Sequence, residues 1–209
     1  MNKIEELNII SKNKDLIIID KPAGILSVPG RGIEKQDSVE FRIKKHFPSA
    51  RAVHRLDMET SGLILLAKHL EAERHYKICF EKRLTEKEYV AICNGEFANI
   101  TGEIDFPLRT DWENRPRQMI CYEHGKVAKT LYRVIQKEEN NRYRVLLKPI
   151  TGRSHQLRVH LAAIGNPIVG DRLYGGGESE FPRLLLHSYS LKIPDLSGNW
   201  REYKSEIPF

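Results

Sequence analysis

An uninterrupted apolar run, residues 63–67, lies between Gly62 and Lys68 and constrains the fold more than any other part of the chain. A run of this length with such boundaries is typical of a short, fully buried β-strand. The nine residues before it, HRLDMETSG, put Asp57 on a loop that leads directly into the strand. Because a rigid strand can hold a loop side chain in one place, the sequence predicts a carboxylate fixed beside the core. Aspartate also favours turns, so the residues alone leave open that Asp57 only stabilises the turn.

Strand-like and helix-like segments alternate along the rest of the chain. Helical periodicity predicts helices at residues 38–47, 70–84 and 154–164. Apolar or alternating stretches predict further strands at residues 16–19, 89–93, 102–108, 117–122, 128–135, 142–147, 184–186 and 189–193. The glycines at 175–177 follow no strand-to-helix pattern and indicate a flexible loop. We therefore expect an α+β fold with a mixed, mostly antiparallel sheet and flanking helices, in a single domain over residues 1–209.

The chain is basic: its formal charge is +6 and its isoelectric point is near 9.2. This balance hints at a polyanionic partner, although many basic proteins bind no nucleic acid. The three cysteines are far apart and no zinc-binding spacing occurs, so we expect reduced thiols and no metal site. No stretch approaches the roughly 20 apolar residues of a membrane helix, and the N-terminus lacks the apolar core of a secretory signal. We expect a cytoplasmic protein.

Several longer motifs resemble the RluA-type RNA pseudouridine synthases. They are DKPAG at residues 20–24, HRLDMETSG at 54–62, KEYVA at 87–91, LKPITGRSHQLR at 147–158, GNPIVGD at 165–171 and LLLH at 184–187. The resemblance implies the pseudouridine synthase catalytic fold, with a central cleft for the substrate. It also implies isomerisation of uridine without a cofactor or a metal. Because the first core strand begins near Leu16, we expect no N-terminal accessory RNA-binding domain.

The resemblance assigns catalytic roles to three residues. Asp57 falls where the family has its essential aspartate. Arg153 is the expected cationic partner of this carboxylate, since a nearby guanidinium favours the charged form. Tyr89 is expected to contact the uracil that has been turned out of the RNA. By the residues alone, Arg153 could be a surface residue at the start of a helix, and Tyr89 could be a core tyrosine on a strand.

Further residues are candidates for contacts with RNA. Arg55 is expected to fill the space that the target base leaves or to bind a phosphate, and His54 to support the same loop. Lys21 is a candidate phosphate contact, with an ordinary surface lysine as the alternative. Arg109, Arg115 and Arg117 surround Trp112 in the sequence, a basic loop with one aromatic residue that suits RNA or forms a solvated hairpin.

The resemblance implies structured RNA as the partner, namely stem-loops of 23S-type large-subunit ribosomal RNA and of the tRNA anticodon arm, bound by a monomer. A related enzyme that acts on ribosomal RNA alone or on tRNA alone is the first alternative. A hydrolase that releases uracil is the second, with Glu59 as its additional carboxylate. A non-catalytic RNA-binding protein on the same scaffold is the third.

Overall fold

The computed structural model describes residues 7–176 and 181–209; residues 1–6 and 177–180, including Gly177 of the predicted glycine loop, lie outside the described part. The chain divides into two compact units. The first, unit 1, contains Met1–Glu86 and Ser188–Pro208, and the second, unit 2, contains Lys87–His187 and Phe209. Each unit is described by itself.

The elements follow one another along the chain in a mixture of strands and helices. They are β1 (Asn8–Lys12), β2 (Leu16–Lys21), a 3₁₀ helix (Ile33–Lys35), α1 (Val39–Lys44), β3 (Arg51–Ala52), β4 (Ser61–Ala67), α2 (Leu70–Glu81), β5 (Glu86–Asn94), β6 (Thr101–Ile104), β7 (Leu108–Thr110), β8 (Gln118–Ile120), β9 (Thr130–Lys137), β10 (Arg142–Pro149), α3 (Gln156–Ala163), β11 (Leu186–Pro194) and β12 (Trp200–Lys204).

Unit 1 is built on the strand order β1-β2-β4-β11, with β12 beside β11 and β3 beside β4. The predicted apolar run is β4, and all seven of its residues are buried. Successive side chains of a strand point to opposite faces. Leu63 and Leu65 therefore pack on the side of α2, and Ile64 and Leu66 pack on the side of α1. Burial on both faces explains why the run has no polar residue.

Gly62 lies at the point where the Asp57 loop enters β4, and its backbone φ is +106°. A Cβ atom at this position would lie 2.3 Å from the carbonyl oxygen of Ser188. Only glycine allows this approach and this backbone conformation together. The close contact between the Gly62 and Ser188 segments fixes where the loop ends and the strand begins.

Unit 2 contains the antiparallel strands in the order β5-β10-β9-β6. Leu157 and Leu161 of α3 pack against this sheet in a core that includes Val145 and Leu147 of β10. The strands β7 and β8 form a separate two-stranded hairpin. The hairpin and the turn that precedes α3 carry the predicted RNA-binding and catalytic arginines of this unit.

The α+β class is confirmed, and most differences from the predicted elements concern their ends. The helix predicted to reach residue 84 ends at Glu81, since Arg83 adopts a left-handed φ of 59°. The strand predicted at 102–108 is interrupted, because residues 105–107, which end in Pro107, connect β6 to β7. Of the strand predicted at 184–186, only Leu186 lies in a strand, β11, which also contains the strand predicted at 189–193. The strands β1, β3 and β12 were not predicted. The single catalytic domain stays a prediction.

In the described ranges, the structure has no helix with the length and apolar character needed to cross a membrane.

Candidate active site

Asp57 lies on the loop that precedes β4, and its side chain is half-buried. Its carbonyl oxygen accepts a hydrogen bond of 3.2 Å from the backbone N–H of Thr60, which closes a tight turn. The turn ends at Thr60, and the buried strand β4 begins at Ser61. A carboxylate at this place is attached to one of the most rigid elements of unit 1.

Both neighbours of Asp57 in the chain are bound to the segment that follows β2. On one side, the hydroxyl of the buried Ser27 accepts from the N–H of Leu56 at 2.9 Å and donates to the Leu56 carbonyl at 2.8 Å. On the other side, the carbonyl of Met58 accepts from the N–H of Gly24 at 2.9 Å. The loop is therefore held immediately before and immediately after the aspartate.

Lys21 completes this arrangement from inside the protein. Its side chain is fully buried, and its ammonium donates to the carbonyls of Pro22, Ile25 and Met58 at 2.9, 2.8 and 2.8 Å. The ammonium is thus bound to three backbone carbonyls. The burial of Lys21 and its carbonyl partners favour a role in holding the loop, and its contact with an RNA phosphate stays a prediction.

His54 and Arg55, which begin the HRLD motif, differ in their surroundings. The Nε2 atom of His54 accepts from the N–H of Leu65 at 3.1 Å, and its ring stacks on Phe80 with centroids 4.4 Å apart. These contacts are those of a residue that supports the loop, and contact of His54 with RNA stays a prediction. Arg55 is exposed, as a residue that reaches into RNA must be.

Tyr89 lies on β5 of unit 2, opposite Leu147 of β10. Its side chain is half-buried and packs against the core of this unit. This position suits both a tyrosine that only packs in the core and one whose exposed part contacts a substrate.

Arg153 lies in the turn that precedes α3. Its Nε donates to the carbonyl of Val127 at 3.0 Å, and its backbone N–H donates to Oε1 of Gln156 at 3.0 Å. The helix begins at Gln156, directly after His155, which has a left-handed φ of 53°. The turn therefore has a defined conformation, and the guanidinium is anchored at one nitrogen.

A buried imidazole lies at one end of a hydrogen-bonded chain behind this turn. Nε2 of His160 lies 3.0 Å from the carbonyl of Phe106, and Nδ1 lies 3.0 Å from the hydroxyl of Thr130. Burial lowers the pKa of His160, so the ring is neutral near pH 7. Because a carbonyl can only accept, Nε2 carries the proton, and Nδ1 accepts from Thr130.

The direction of the remaining bonds follows from this tautomer. The Thr130 oxygen accepts from Nε2 of Gln156 at 3.0 Å. Oε1 of Gln156 then accepts from the hydroxyl of Thr151 at 2.7 Å and from the N–H of Arg153. We call Thr130, Thr151, Gln156 and His160 the Thr130 network. It connects the buried imidazole to the backbone of Arg153.

A second buried group supports the same turn. Arg158 and Asp171 form a bidentate ion pair, with both N–O distances at 2.8 Å and side-chain exposures of 5% and 1%. The phenol oxygen of the nearby Tyr174 accepts from the N–H of Gln118 at 2.7 Å and lies 2.7 Å from Nδ1 of His155. Tyr174 thus connects the start of β8 to the turn that contains Arg153.

The three arginines of the β7–β8 hairpin do not share one environment. The guanidinium carbon of Arg115 lies 3.7 Å from the centre of the Trp112 ring, and Trp112 is exposed. Arg117 instead donates to the carbonyl next to Tyr174 and lies 5.6 Å from the Tyr174 ring. Arg109 is exposed on β7. The predicted cluster around Trp112 therefore holds for Arg115 and not for Arg117.

Two of the three cysteines, Cys79 and Cys93, are buried. Burial raises the pKa of the Cys93 and Cys79 thiols, which keeps both protonated. No group of three or more potential ligands among the described residues could hold a metal ion.

Sequence reasoning missed several residues that hold these loops. Ser27 lies in a stretch that looked irregular, and no pattern marked it. Gln156, Arg158 and Asp171 lie inside the quoted motifs, but the motifs alone did not separate residues that position others from residues that contact a substrate. Thr130 and Tyr174 are identified only by the hydrogen bonds that converge on them.

Comparison with known proteins agrees with these motifs. The sequence model described as RNA pseudouridylate synthase matches residues 15–163. The chain is 48% identical over 206 residues to the dual-specificity RNA pseudouridine synthase RluA of Escherichia coli K12, which covers 97% of this chain and 94% of that protein. Proteins of the same name from Yersinia pestis and Haemophilus ducreyi are 46% and 49% identical, each over 96% of this chain and over 99% and 93% of their own lengths.

Solved structures show the same relationship. The human RNA pseudouridylate synthase domain containing 1 superimposes with a TM-score of 0.82 and 29% identity, over 99% of this chain and 85% of that chain. The human domain containing 4 shares the fold, with a TM-score of 0.77 and 24% identity over 96% and 88% of the two chains. The chain therefore belongs to the RNA pseudouridylate synthase family, whose members isomerise uridine in RNA to pseudouridine.

Proposed function

We propose that this enzyme modifies uridines in stem-loops of both large-subunit ribosomal RNA and tRNA, with Asp57 as the catalytic carboxylate. The observation that carries the dual specificity is the 46–49% identity, over nearly the whole chain, to three bacterial proteins that are each named dual-specificity synthases. We further propose that it works in the cytoplasm as a monomer, and that residues 1–209 act as one catalytic domain.

The reaction requires no net oxidation and no added group. The bond between the ribose carbon and N1 of uracil breaks, the base turns, and a bond from the same ribose carbon to C5 forms. C5 loses its proton and N1 gains one, so the mass of the RNA is unchanged. The proposed role of Asp57 is to attack the sugar or the base, or to remove a proton from the sugar. Its loop suits any of these steps, since residues 56 and 58 are both tethered and Asp57 is only half-buried.

Tyr89 and Arg153 are proposed to act on the same uridine. A tyrosine ring on a strand offers a flat, rigid surface for the uracil. The terminal nitrogens of Arg153 have no partner among the described residues, while its Nε is anchored on Val127. They remain able to pair with a carboxylate or a phosphate. We expect Arg153→Ala to reduce turnover strongly, and near-normal turnover would remove Arg153 from the reaction.

RNA contact is proposed for Arg55 and for the β7–β8 hairpin. The target base must leave the stack before the enzyme can act on it. Arg55 is exposed two residues before Asp57, and its proposed role is to occupy the vacated position. Arg115 and Trp112 form an exposed stacked pair, which suits contact with bases or phosphates.

The decisive experiment measures tritium release from uracil C5 in labelled 23S-type ribosomal RNA and tRNA, for the wild type and for Asp57→Asn. We expect release from both RNAs by the wild type and none by the variant, and mapping of pseudouridine should then locate the modified sites. Release from only one RNA would leave the single-substrate alternative. An abasic product would indicate hydrolysis with Glu59 as the second carboxylate, and equal release by both proteins would exclude Asp57.

A further inference from the structure

A group of basic side chains lies at the end of the unit 1 sheet that is remote from Asp57. Lys12 ends β1, Lys14 lies in the turn to β2, Arg51 begins β3, and Lys68 follows β4. We call these four residues the basic edge. Asp57 precedes β4 and Lys68 follows it, and a strand of seven residues separates the two ends by about 23 Å.

Strand pairing brings these residues into a row. Lys12 lies opposite Ile17 of β2, Leu16 lies opposite Ala67 of β4, and Arg51 lies opposite Ala67 on the other side. The strands β1, β2, β4 and β3 are thus successive neighbours at this end. With about 4.8 Å between strands, the row is about 14 Å wide. A surface of this width can contact more than one phosphate of a single RNA strand.

Two of these cations converge on one aromatic ring. The ammonium groups of Lys12 and Lys68 lie 5.5 and 5.6 Å from the centre of the same ring, that of Phe47. In the part of the chain that the structure describes, none of the four basic-edge residues forms an ion pair with a carboxylate. The carboxylate of the intervening turn, Asp15, is bound instead by His69 at 3.0 Å.

Two further carboxylates of unit 1 form ion pairs with cations outside the basic edge. Glu40 pairs with Lys44 and accepts from the N–H of Ala52 at 2.8 Å, and Asp37 pairs with Arg42 at 2.7 Å. Like charges that share one ring repel each other, and an external anion would relieve this repulsion. The β11–β12 hairpin of the same unit provides a contrast, because Lys192, Arg201 and Lys204 each lie within 3.6 Å of a carboxylate.

We propose that the basic edge binds the phosphate backbone of the substrate RNA outside the loop that contains the target uridine. The inference rests on the proposed function, since that function supplies the RNA and places its target at Asp57. An RNA that reaches both places must extend about 23 Å from the target. The basic edge therefore contributes affinity for an RNA that extends over this distance and little for a stem-loop that is shorter.

The test compares two triple variants with the same loss of charge. The first is Lys12→Gln, Arg51→Gln and Lys68→Gln, and the matched control is Lys192→Gln, Arg201→Gln and Lys204→Gln. Affinity is measured over a range of salt concentrations for a target stem-loop that is too short to reach the basic edge and for the same stem-loop within the intact tRNA or ribosomal RNA fragment. Turnover is measured on the stem-loop.

We expect the first variant to bind the intact RNA about 10- to 100-fold more weakly than the wild type. The slope of log K against log salt should fall by about 2 to 3 in magnitude, since each lost phosphate contact removes about 0.7 to 0.9. Its affinity and turnover with the stem-loop should match the wild type. A charge-conserving variant, Lys12→Arg with Lys68→Arg, should bind as the wild type does and shows that charge is the cause.

Three results would overturn the inference. Unchanged affinity of the first variant for the intact RNA shows that this surface serves another purpose, such as contact with a protein. An equal loss in both triple variants shows a general effect of net charge. An equal loss with the stem-loop and the intact RNA places the contact at the target itself. Failure of the proposed function is recognised separately, because the wild type would then release no tritium from any of the RNAs.

Discussion

The ammonium of Lys21 donates a hydrogen bond of 2.8 Å to the carbonyl of Met58, the residue that follows Asp57. A fully buried cation thus fixes the loop that carries the proposed catalytic carboxylate. Burying a charge is unfavourable unless hydrogen bonds compensate for the lost water, and here three carbonyls do so. For this reason we expect Lys21 to position the loop rather than to bind RNA.

Replacement of Lys21 by Met should destabilise the protein and slow the reaction. The substitution leaves three carbonyls without their donor, and we expect the free energy of unfolding to fall by about 3 kcal/mol. Urea unfolding measures this, with Lys77→Met as a control because Lys77 is exposed on α2. The salt dependence of RNA binding should stay unchanged. A smaller salt slope in the Lys21 variant would show that Lys21 contacts phosphate after all.

Removal of the Ser27 hydroxyl should affect turnover more than RNA binding. Ser27→Ala breaks both bonds to Leu56, so we expect a loss of about 1 to 2 kcal/mol in the free energy of unfolding. Because Asp57 then has a tether on one side only, kcat should fall while KM changes little. Steady-state kinetics provide the measurement, and Ser197→Ala, an exposed serine, is the control. A change in KM alone would contradict the positioning role.

Thr130→Val should disturb the turn that contains Arg153. It removes the acceptor of Gln156 and the donor of His160 at nearly constant volume. We expect a loss of roughly 1 to 3 kcal/mol in stability and a roughly 10- to 100-fold lower kcat with unchanged RNA affinity. Thr130→Ser keeps the hydroxyl and should restore both.

Thr85→Val is the matched control for this prediction. In the described ranges, the buried hydroxyl of Thr85 has no hydrogen-bond partner, so its removal should leave stability the same or raise it. An equal effect of the two valine variants would show that the Thr130 network does no more than fill space.

The stability of the fold should decrease between pH 6.5 and pH 4. Burial and, to a smaller extent, the charge of Arg183 lower the pKa of His187 from its ordinary value of 6.5 to about 4. In this interval the unfolded chain binds a proton that the folded chain rejects, so acidification favours unfolding. The effect of this one group reaches about 3 kcal/mol.

Urea unfolding at pH 7 and pH 5 tests this linkage. His187→Gln should lose less stability on acidification than the wild type does, whereas His124→Gln, at an exposed position, should behave as the wild type. Burial lowers the pKa of His160 as well, so some acid sensitivity should remain in the His187 variant. Identical pH dependence in the wild type and His187→Gln would refute the assignment.

Local patterns predicted the elements that depend on burial and on backbone chemistry. The run at residues 63–67 contains no polar residue, which predicted a buried strand. The structure has a strand there, and it is buried on both faces. The β5 strand ends at Asn94, before a glycine with a φ of 82°. Element ends that depend on distant contacts were predicted less well, and β1 was missed because its residues look exposed and mixed.

The sequence by itself determined the family, the α+β class and the place of Asp57 before a core strand, because contiguous motifs and apolar runs encode these locally. Only the tertiary structure decided that Lys21 is buried, that Ser27 holds the residue before Asp57, and that Lys12 and Lys68 share one aromatic ring. The physical reason is that a hydrogen bond or a charge contact depends on distance in space, and residues far apart in the chain reach that distance only after the strands have paired.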